Sequence, residues 1–267
     1  MRTDRPDELL SISLTRRRLL GGGAAACLTI GLAQALWSQR LLADPRTLEF
    51  GRWVESLMAA AERLKRGEIT ISQWRQQMNA LYGAADVPQL ISHIDFDQLV
   101  ARFDFGPHGE SFVDLDAVSG NQIPKPPRGQ DPITTRFNGI RQGQSVPPHG
   151  HANMASAFLV LNGEFRVRQY DKLETRPETV VFRPARDVMQ RAGDWNSISE
   201  TERNIHWLQA MSGDGFYFSI KIKNVIADQP MDGRLCVDLR DPVQHGAGVL
   251  EAPIVRNQRA HEIYNGA

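Results

Sequence analysis

The sequence predicts a mainly β protein, a sandwich or barrel of short strands, with an N-terminal α-helical layer. Three observations carry the prediction. From Ile133 to Ile222, short runs of strand-forming residues alternate with turn residues. Between about Pro45 and Val100, apolar residues recur at helical spacing instead. Between these textures, Gly120-Asn121-Gln122-Ile123-Pro124-Lys125-Pro126-Pro127-Arg128-Gly129-Gln130-Asp131 is too rich in proline and glycine for a regular element and marks the boundary.

The N-terminus is read as a leader. Thr15-Arg16-Arg17-Arg18-Leu19-Leu20 precedes a Gly/Ala-rich apolar run from Gly21 to Ala35, with a small-residue cleavage site at Ala33-Gln34-Ala35. Paired arginines followed by Leu-Leu resemble a twin-arginine export signal. That resemblance implies handling by the twin-arginine machinery, cleavage of residues 1–35, a periplasmic location and no stable membrane insertion afterwards. The competing reading is a retained single-pass anchor, since Leu19 to Trp37 is nearly long enough to span a bilayer, but its four glycines lower its hydrophobicity. Cys27 lies inside this leader. Its removal leaves Cys236 alone, which rules out an intrachain disulfide and any CxxC metal or redox site and fits a small buried hydrophobe.

Residues 44–118 form the helical segment. Trp53, Leu57, Ala60, Ala61 and Leu64 share one face of a helix that ends at Gly67, with Lys65 and Arg66 in the last turn, where the helix dipole favours cations. A second helix runs from Thr70 or Ser72 to Tyr82 and is stopped by Gly83. A third spans Asp86 to His93, and Asp95 is placed to cap a fourth turn through Val100. The expected role is a packing layer over an edge or open end of the sheet.

The barrel is expected over residues 131–224, with strands at Thr134–Ile140, Ala157–Leu161, Glu164–Tyr170, Thr179–Arg183, Ile205–Ala210 and Gly215–Ile222. Gly143 turns the chain before Val146, and Asn162-Gly163 is the strongest hairpin signal in the sequence. Residues 225–267 read as an extended tail packing on the barrel. Charge is balanced, at 31 basic and 31 acidic residues, which argues against a nucleic-acid partner. No GxGxxG, GxxxxGK[ST] or GxSxG occurs, so the usual nucleotide-binding and α/β-hydrolase motifs are absent.

His149 and His151 are one residue apart at the entrance of the strand region. In an extended chain such residues point the same way, so both rings can meet one metal ion. Gly143, His149, His151 and Gly163 resemble the first motif of the cupin family, and Gly193-Asp194 leading to His206 resembles the second. The family's glutamate slot, counted back from Gly163, falls on Ser156, and its Pro-x-Gly before the last histidine is missing. The resemblance covers about a third of the chain and implies a cupin-type double-stranded β-helix, or jelly-roll barrel.

It also implies a three-histidine site of His149, His151 and His206 without a protein carboxylate. Imidazole suits several divalent transition metals; Fe(II) is the first choice, with Zn, Mn, Ni and Cu open. A three-histidine iron cupin resembles the thiol dioxygenases of the cysteine-dioxygenase type. The activity this implies is O2-dependent oxidation of a small thiol or other anionic substrate. Arg136, with Arg141 as runner-up, is placed to pair with a substrate carboxylate, and Tyr217 to hydrogen-bond at the metal. His93, His108, His245 and His261 are read as surface or structural residues. A metal cupin with isomerase or ring-cleaving chemistry and a non-catalytic periplasmic sensing module are the alternatives. A homodimer through an edge strand is compatible with this architecture.

Overall fold

The structure, a computed structural model, describes residues 50–117, 119–121, 132–231 and 233–266. The expected leader and most of the proline-rich connection lie outside the described residues. Four helices open the described chain: α1 Phe50–Lys65, α2 Ile71–Gly83, α3 Val87–His93 and α4 Phe96–Ala101. Their ends follow from local chemistry. Gly67 takes φ +70° after α1, where a side chain would be strained. Thr70 and Gln73 form a reciprocal capping box on α2, and Asp86 accepts from the Gln89 amide to cap α3. Asp95 occupies the cap position of α4 in a left-handed backbone conformation, but its side chain makes no capping bond. No helix among the described residues is long and apolar enough to cross a membrane.

Ten strands follow: β1 Glu110–Leu115, β2 Ile133–Ile140, β3 Ser145–Gly150, β4 Met154–Thr175, β5 Thr179–Gln190, β6 Trp195–Ile198, β7 Ile205–Lys223, β8 Leu235–Val237, β9 Val243–Gln244 and β10 Leu250–Val255. A last helix, α5, spans Asn257–Asn265. Pairing closes a ring, β7–β3–β8–β10–β5–β4 and back to β7, so the fold is the expected jelly-roll barrel.

Its two walls are built from the same two long strands. The first half of β4 pairs with the second half of β7, and the second half of β4 with the first half of β7. β1, β2 and β6 complete one wall, and β3, β5, β8 and β10 the other.

Asn162-Gly163, expected as a hairpin, is no turn. The antiparallel register of β4 on β7 continues through it from Met154↔Lys223 to Tyr170↔Ile205, with the irregularity confined to residues 160–165. Gly163 has φ +82°, and a Cβ there would lie 2.7 Å from the Gly215 Cα and 2.9 Å from the Asp214 carbonyl oxygen. The dipeptide is a bulge that bends one strand from the first wall to the second. The strands expected at Ala157–Leu161 and Glu164–Tyr170 are therefore one, as are Ile205–Ala210 and Gly215–Ile222.

Strand alternation divides the first wall cleanly. Ala155, Ala157, Leu159, Phe216, Phe218, Ile220 and Ile222 point outward and join Trp53, Leu57, Trp74, Met78 and Leu81 in the largest apolar cluster. The helices thus cover the outer face of this wall, rather than an edge or an open end. On the inner face, Phe158 and Val160 meet Val146, Phe165, Val167, Leu208 and Ala210 of the other wall. The C-terminal segment does more than pack on the barrel. β8 and β10 are members of the ring, and α5 lies beside β3 and β8.

Candidate metal centre

Pro147 and Pro148 have no amide hydrogen to give to a ladder, and the β3–β7 register shifts at these residues, between Val146 and His149. Past the shift, His149 pairs directly with His206. His151 sits one residue beyond the strand end, fastened by Asn204. The Asn204 side chain accepts from the His151 amide at 3.1 Å and donates to the His151 carbonyl at 2.9 Å and the Ser199 carbonyl at 2.7 Å. A Cβ at Gly150 would strike the Asn204 side-chain oxygen, which explains why glycine separates the two histidines.

All three sequence-predicted histidines come together. One ring nitrogen from each lies within 4.8 Å of the others, and all three residues are buried. Hydrogen bonds fix two of the tautomers. Nδ1 of His149 is 2.8 Å from the Pro147 carbonyl, and Nδ1 of His206 is 2.8 Å from the Asn204 carbonyl. A carbonyl only accepts, so each Nδ1 carries the proton and each Nε2 presents a lone pair. The Nδ1 of His151 is buried and makes no well-formed hydrogen bond; the Gly233 backbone is the polar group that acts on this ring.

Burial, reinforced by neighbouring positive charge, holds His149 and His151 well below the ordinary imidazole pKa. Burial likewise brings His206 down to about 4, with Lys221 and Arg234 acting in the same direction. Three buried neutral imidazoles, each with a ring nitrogen within 4.8 Å of the others, are the donor set a divalent transition metal takes.

The histidines line a cavity of about 790 Å³ between the two walls. Ser156, the residue in the glutamate slot, lines it too, and its hydroxyl donates to the Ile220 carbonyl at 2.9 Å. Arg136 and Tyr217 both line the cavity. Arg136, however, already donates from Nε to Asp114 at 2.7 Å and lies 3.8 Å over the Phe112 ring. Burial raises the Tyr217 phenol above its usual pKa. Arg141 does not line the cavity and lies over Phe105 instead. Val146, Met154, Phe158, Ile198 and Leu208 supply an apolar lining.

Several lining residues escaped the sequence reading. Lys221 is directly opposite Ser156 in the β4–β7 ladder. Its ammonium is pulled down to about 7 by burial first, then by Arg136 and Arg234. Arg234 reaches the cavity from just before β8 and is ion-paired with Glu110. Glu110 also meets His261 Nε2 at 3.2 Å. Burial alone would raise the Glu110 carboxyl, but His261 and Arg234 bring it to about 2. The alternation Tyr217, Ser219, Lys221 against Phe216, Phe218, Ile220 is the signal that would have found Lys221, since period two puts it on Tyr217's face.

The remaining histidines divide. His245 is an exposed partner of Glu251 at 2.7 Å. His93 packs its ring on Phe50. His261, expected at the surface, is only 2% exposed and stacks on His108 at 4.4 Å, because α5 folds it against the barrel. Cys236 is buried, as expected of a lone thiol, and burial raises its pKa.

No protein-family model matches the sequence, and no curated protein matches it. Several solved structures are similar over part of the chain. An oxalate oxidase, from a study titled as structural and spectroscopic insight into its mechanism, is 16% identical over 46% of this chain and 55% of that one, with a TM-score of 0.33. KdgF from a Halomonas species is 14% identical over 45% and 84%, with a TM-score of 0.31. Procruciferin, the 11S globulin of Brassica napus, is 16% identical over 45% and 27%, with a TM-score of 0.31. The chain spans little more than half the length of the oxalate oxidase chain it matches. The barrel itself is established by its own strand pairing.

Proposed function

We propose that the protein is an exported metal-dependent cupin oxygenase that oxidises a small thiol or other anionic substrate with O2 at a three-histidine Fe(II) site. One observation carries the reading. Three buried, neutral imidazoles converge at a cavity whose charged lining is mostly cationic and whose glutamate slot holds a serine. A bound divalent ion supplies Lewis acidity and the one-electron chemistry that O2 requires.

The chain's own residues do the rest. His149 and His206 keep their Nδ1 protons on backbone carbonyls, so both rings are held in one tautomer and one orientation. With no carboxylate among them, the three histidines would leave a bound divalent ion its full charge, which would favour a thiolate or carboxylate over a neutral ligand. The Tyr217 hydroxyl, kept protonated by burial, donates a hydrogen bond toward the bound anion, and Arg136 orients it from the same wall. Met154, Phe158, Ile198 and Leu208 exclude water from around the reacting groups. The leader at residues 1–35 would deliver the folded, loaded protein to the periplasm.

The test is the metal content of protein exported by its own leader, followed by O2 uptake on a panel of small thiols. Near-stoichiometric iron with thiol-dependent uptake is the expected result. His149→Ala and His206→Ala should each weaken metal affinity by at least about 100-fold. A folded protein that is metal-free and unaffected by either substitution would sink the reading and leave a non-catalytic ligand-binding barrel.

A further inference from the structure

The lining of the cavity is sorted by strand. In the first wall the strands run β1, β2, β7, β4, β6. β2 and β7 turn Arg136, Asn138, Tyr217, Ser219, Lys221 and Lys223 toward the cavity. Among the described residues, every cation of the lining stands on β2, on β7 or just before β8, and none on β4 or β6. β4 and β6 instead contribute Met154, Phe158, Ile198 and Ser156, and the Ser156 hydroxyl already donates to the Ile220 carbonyl at 2.9 Å. Across from them, Val146 and Leu208 of the second wall share one buried cluster with Phe158. The β4–β6 side thus offers hydrocarbon and no charge.

The apolar lining also continues outward. Phe112 and Met231 both line the cavity and are 44% and 37% exposed, so they stand where it opens to solvent. At about 790 Å³ the cavity has the size that takes a drug-sized molecule. A thiol of two or three carbons, seated at the histidines, would leave most of that space to water held against Met154, Phe158 and Ile198. Water gains little there, because it needs several polar partners to be held well. A charged or many-hydroxylated body would fare worse, losing its hydration on that side without a replacement.

We propose that the substrate's anionic head is carried on an apolar body, aliphatic or aromatic, which lies along the β4–β6 side of the cavity, with Met154 and Ile198 as residues that select for it. The head sits at His149, His151 and His206, and the far end of the body reaches toward Met231 and Phe112. The inference rests on the metal reading above and narrows its substrate from small thiols in general to the thiolate end of an amphiphile. Chain length, and not head group alone, then sets affinity.

The experiment uses the full-length protein, loaded with Co(II) and kept free of O2, so that the visible spectrum of the ion reports thiolate binding without turnover. Ethanethiol, propanethiol, butanethiol and pentanethiol are titrated in turn. A fully buried methylene is worth about fourfold in affinity, so pentanethiol should bind at least about tenfold tighter than ethanethiol. Met154→Gln keeps the length of the side chain and adds an amide, and Ile198→Thr keeps the β-branch and adds a hydroxyl. In at least one of them the pentanethiol-to-ethanethiol ratio should fall about threefold or more, while Met154→Leu retains it. Only variants that match wild type in cobalt stoichiometry and thermal unfolding enter the comparison, which separates lost recognition from lost folding. A wild-type ratio near one, or a ratio that stays at the wild-type value in every such variant, overturns the inference alone. A wild-type protein that takes up no cobalt, or that takes it up and binds none of the thiols, overturns the metal reading and this inference with it.

Discussion

Asn204 shows how much of the centre depends on one residue that touches no substrate. It is fully buried, its side chain holds His151 through both backbone groups, and its carbonyl fixes the His206 tautomer. Asn204→Ala keeps the carbonyl but removes three side-chain bonds, leaving the His151 and Ser199 backbone groups unsatisfied in the interior. The expected cost is about 2–4 kcal/mol of stability, measured by urea unfolding. Metal affinity should fall about 10- to 100-fold, measured by competition with a chelator. The three histidines were legible in the sequence because the His-x-His spacing and the strand around His206 are local signals. Asn204 was not, since its partner His151 lies 53 residues away and only the barrel brings them together. Lys221 was legible in principle, because alternation alone puts it on Tyr217's face.

At the scale of elements, the helices were read closely because each is a local object with its own start and stop chemistry. The second helix begins after Thr70, one of its two expected starts, and the third after Asp86, each held there by a side-chain cap. Strands were found by composition, but their connectivity was not. Asn-Gly favours a tight turn when both flanking segments can pair with each other, and here both pair with β7 instead. Tertiary pairing overrode the local preference and turned a hairpin signal into the corner of a jelly roll. β1, β8, β9 and β10 lie in segments whose apolar runs are too short or too interrupted to announce a strand. The corner itself is testable. Gly163→Ala combines a positive φ with a backbone clash against Gly215, so it should cost about 2–3 kcal/mol. The denaturant midpoint reads it directly. A loss under about 0.5 kcal/mol would mean that the bend can relax.

For the whole molecule, burying three neutral imidazoles ties stability to pH even before any ion binds. Below about pH 6.5 an unfolded chain protonates these histidines. The folded chain keeps His206 neutral down to about 4 and holds His149 and His151 neutral well below their ordinary range. The unfolded state therefore binds more protons in this window, and stability falls as pH drops through it. His206 contributes at most about 3 kcal/mol to this loss. Metal-free protein should show a urea midpoint that declines from about pH 6.5 to about 4, and His206→Leu should flatten the decline. A midpoint independent of pH over that range would mean that the rings are protonated in the folded state.

One further consequence follows from where the ring closes. His149 pairs with Cys236 across β3 and β8, β5 waits for β10, and the Asn265 side chain bonds Ser145 through its amide, hydroxyl and carbonyl. The partners in these contacts lie some 70 to 120 residues apart along the chain. During synthesis the histidine-bearing strand emerges well before β8 and β10, so the ring around it closes only when those later strands are present. A chain cut before Leu235 keeps all three histidines but leaves the ring open between β3 and β10.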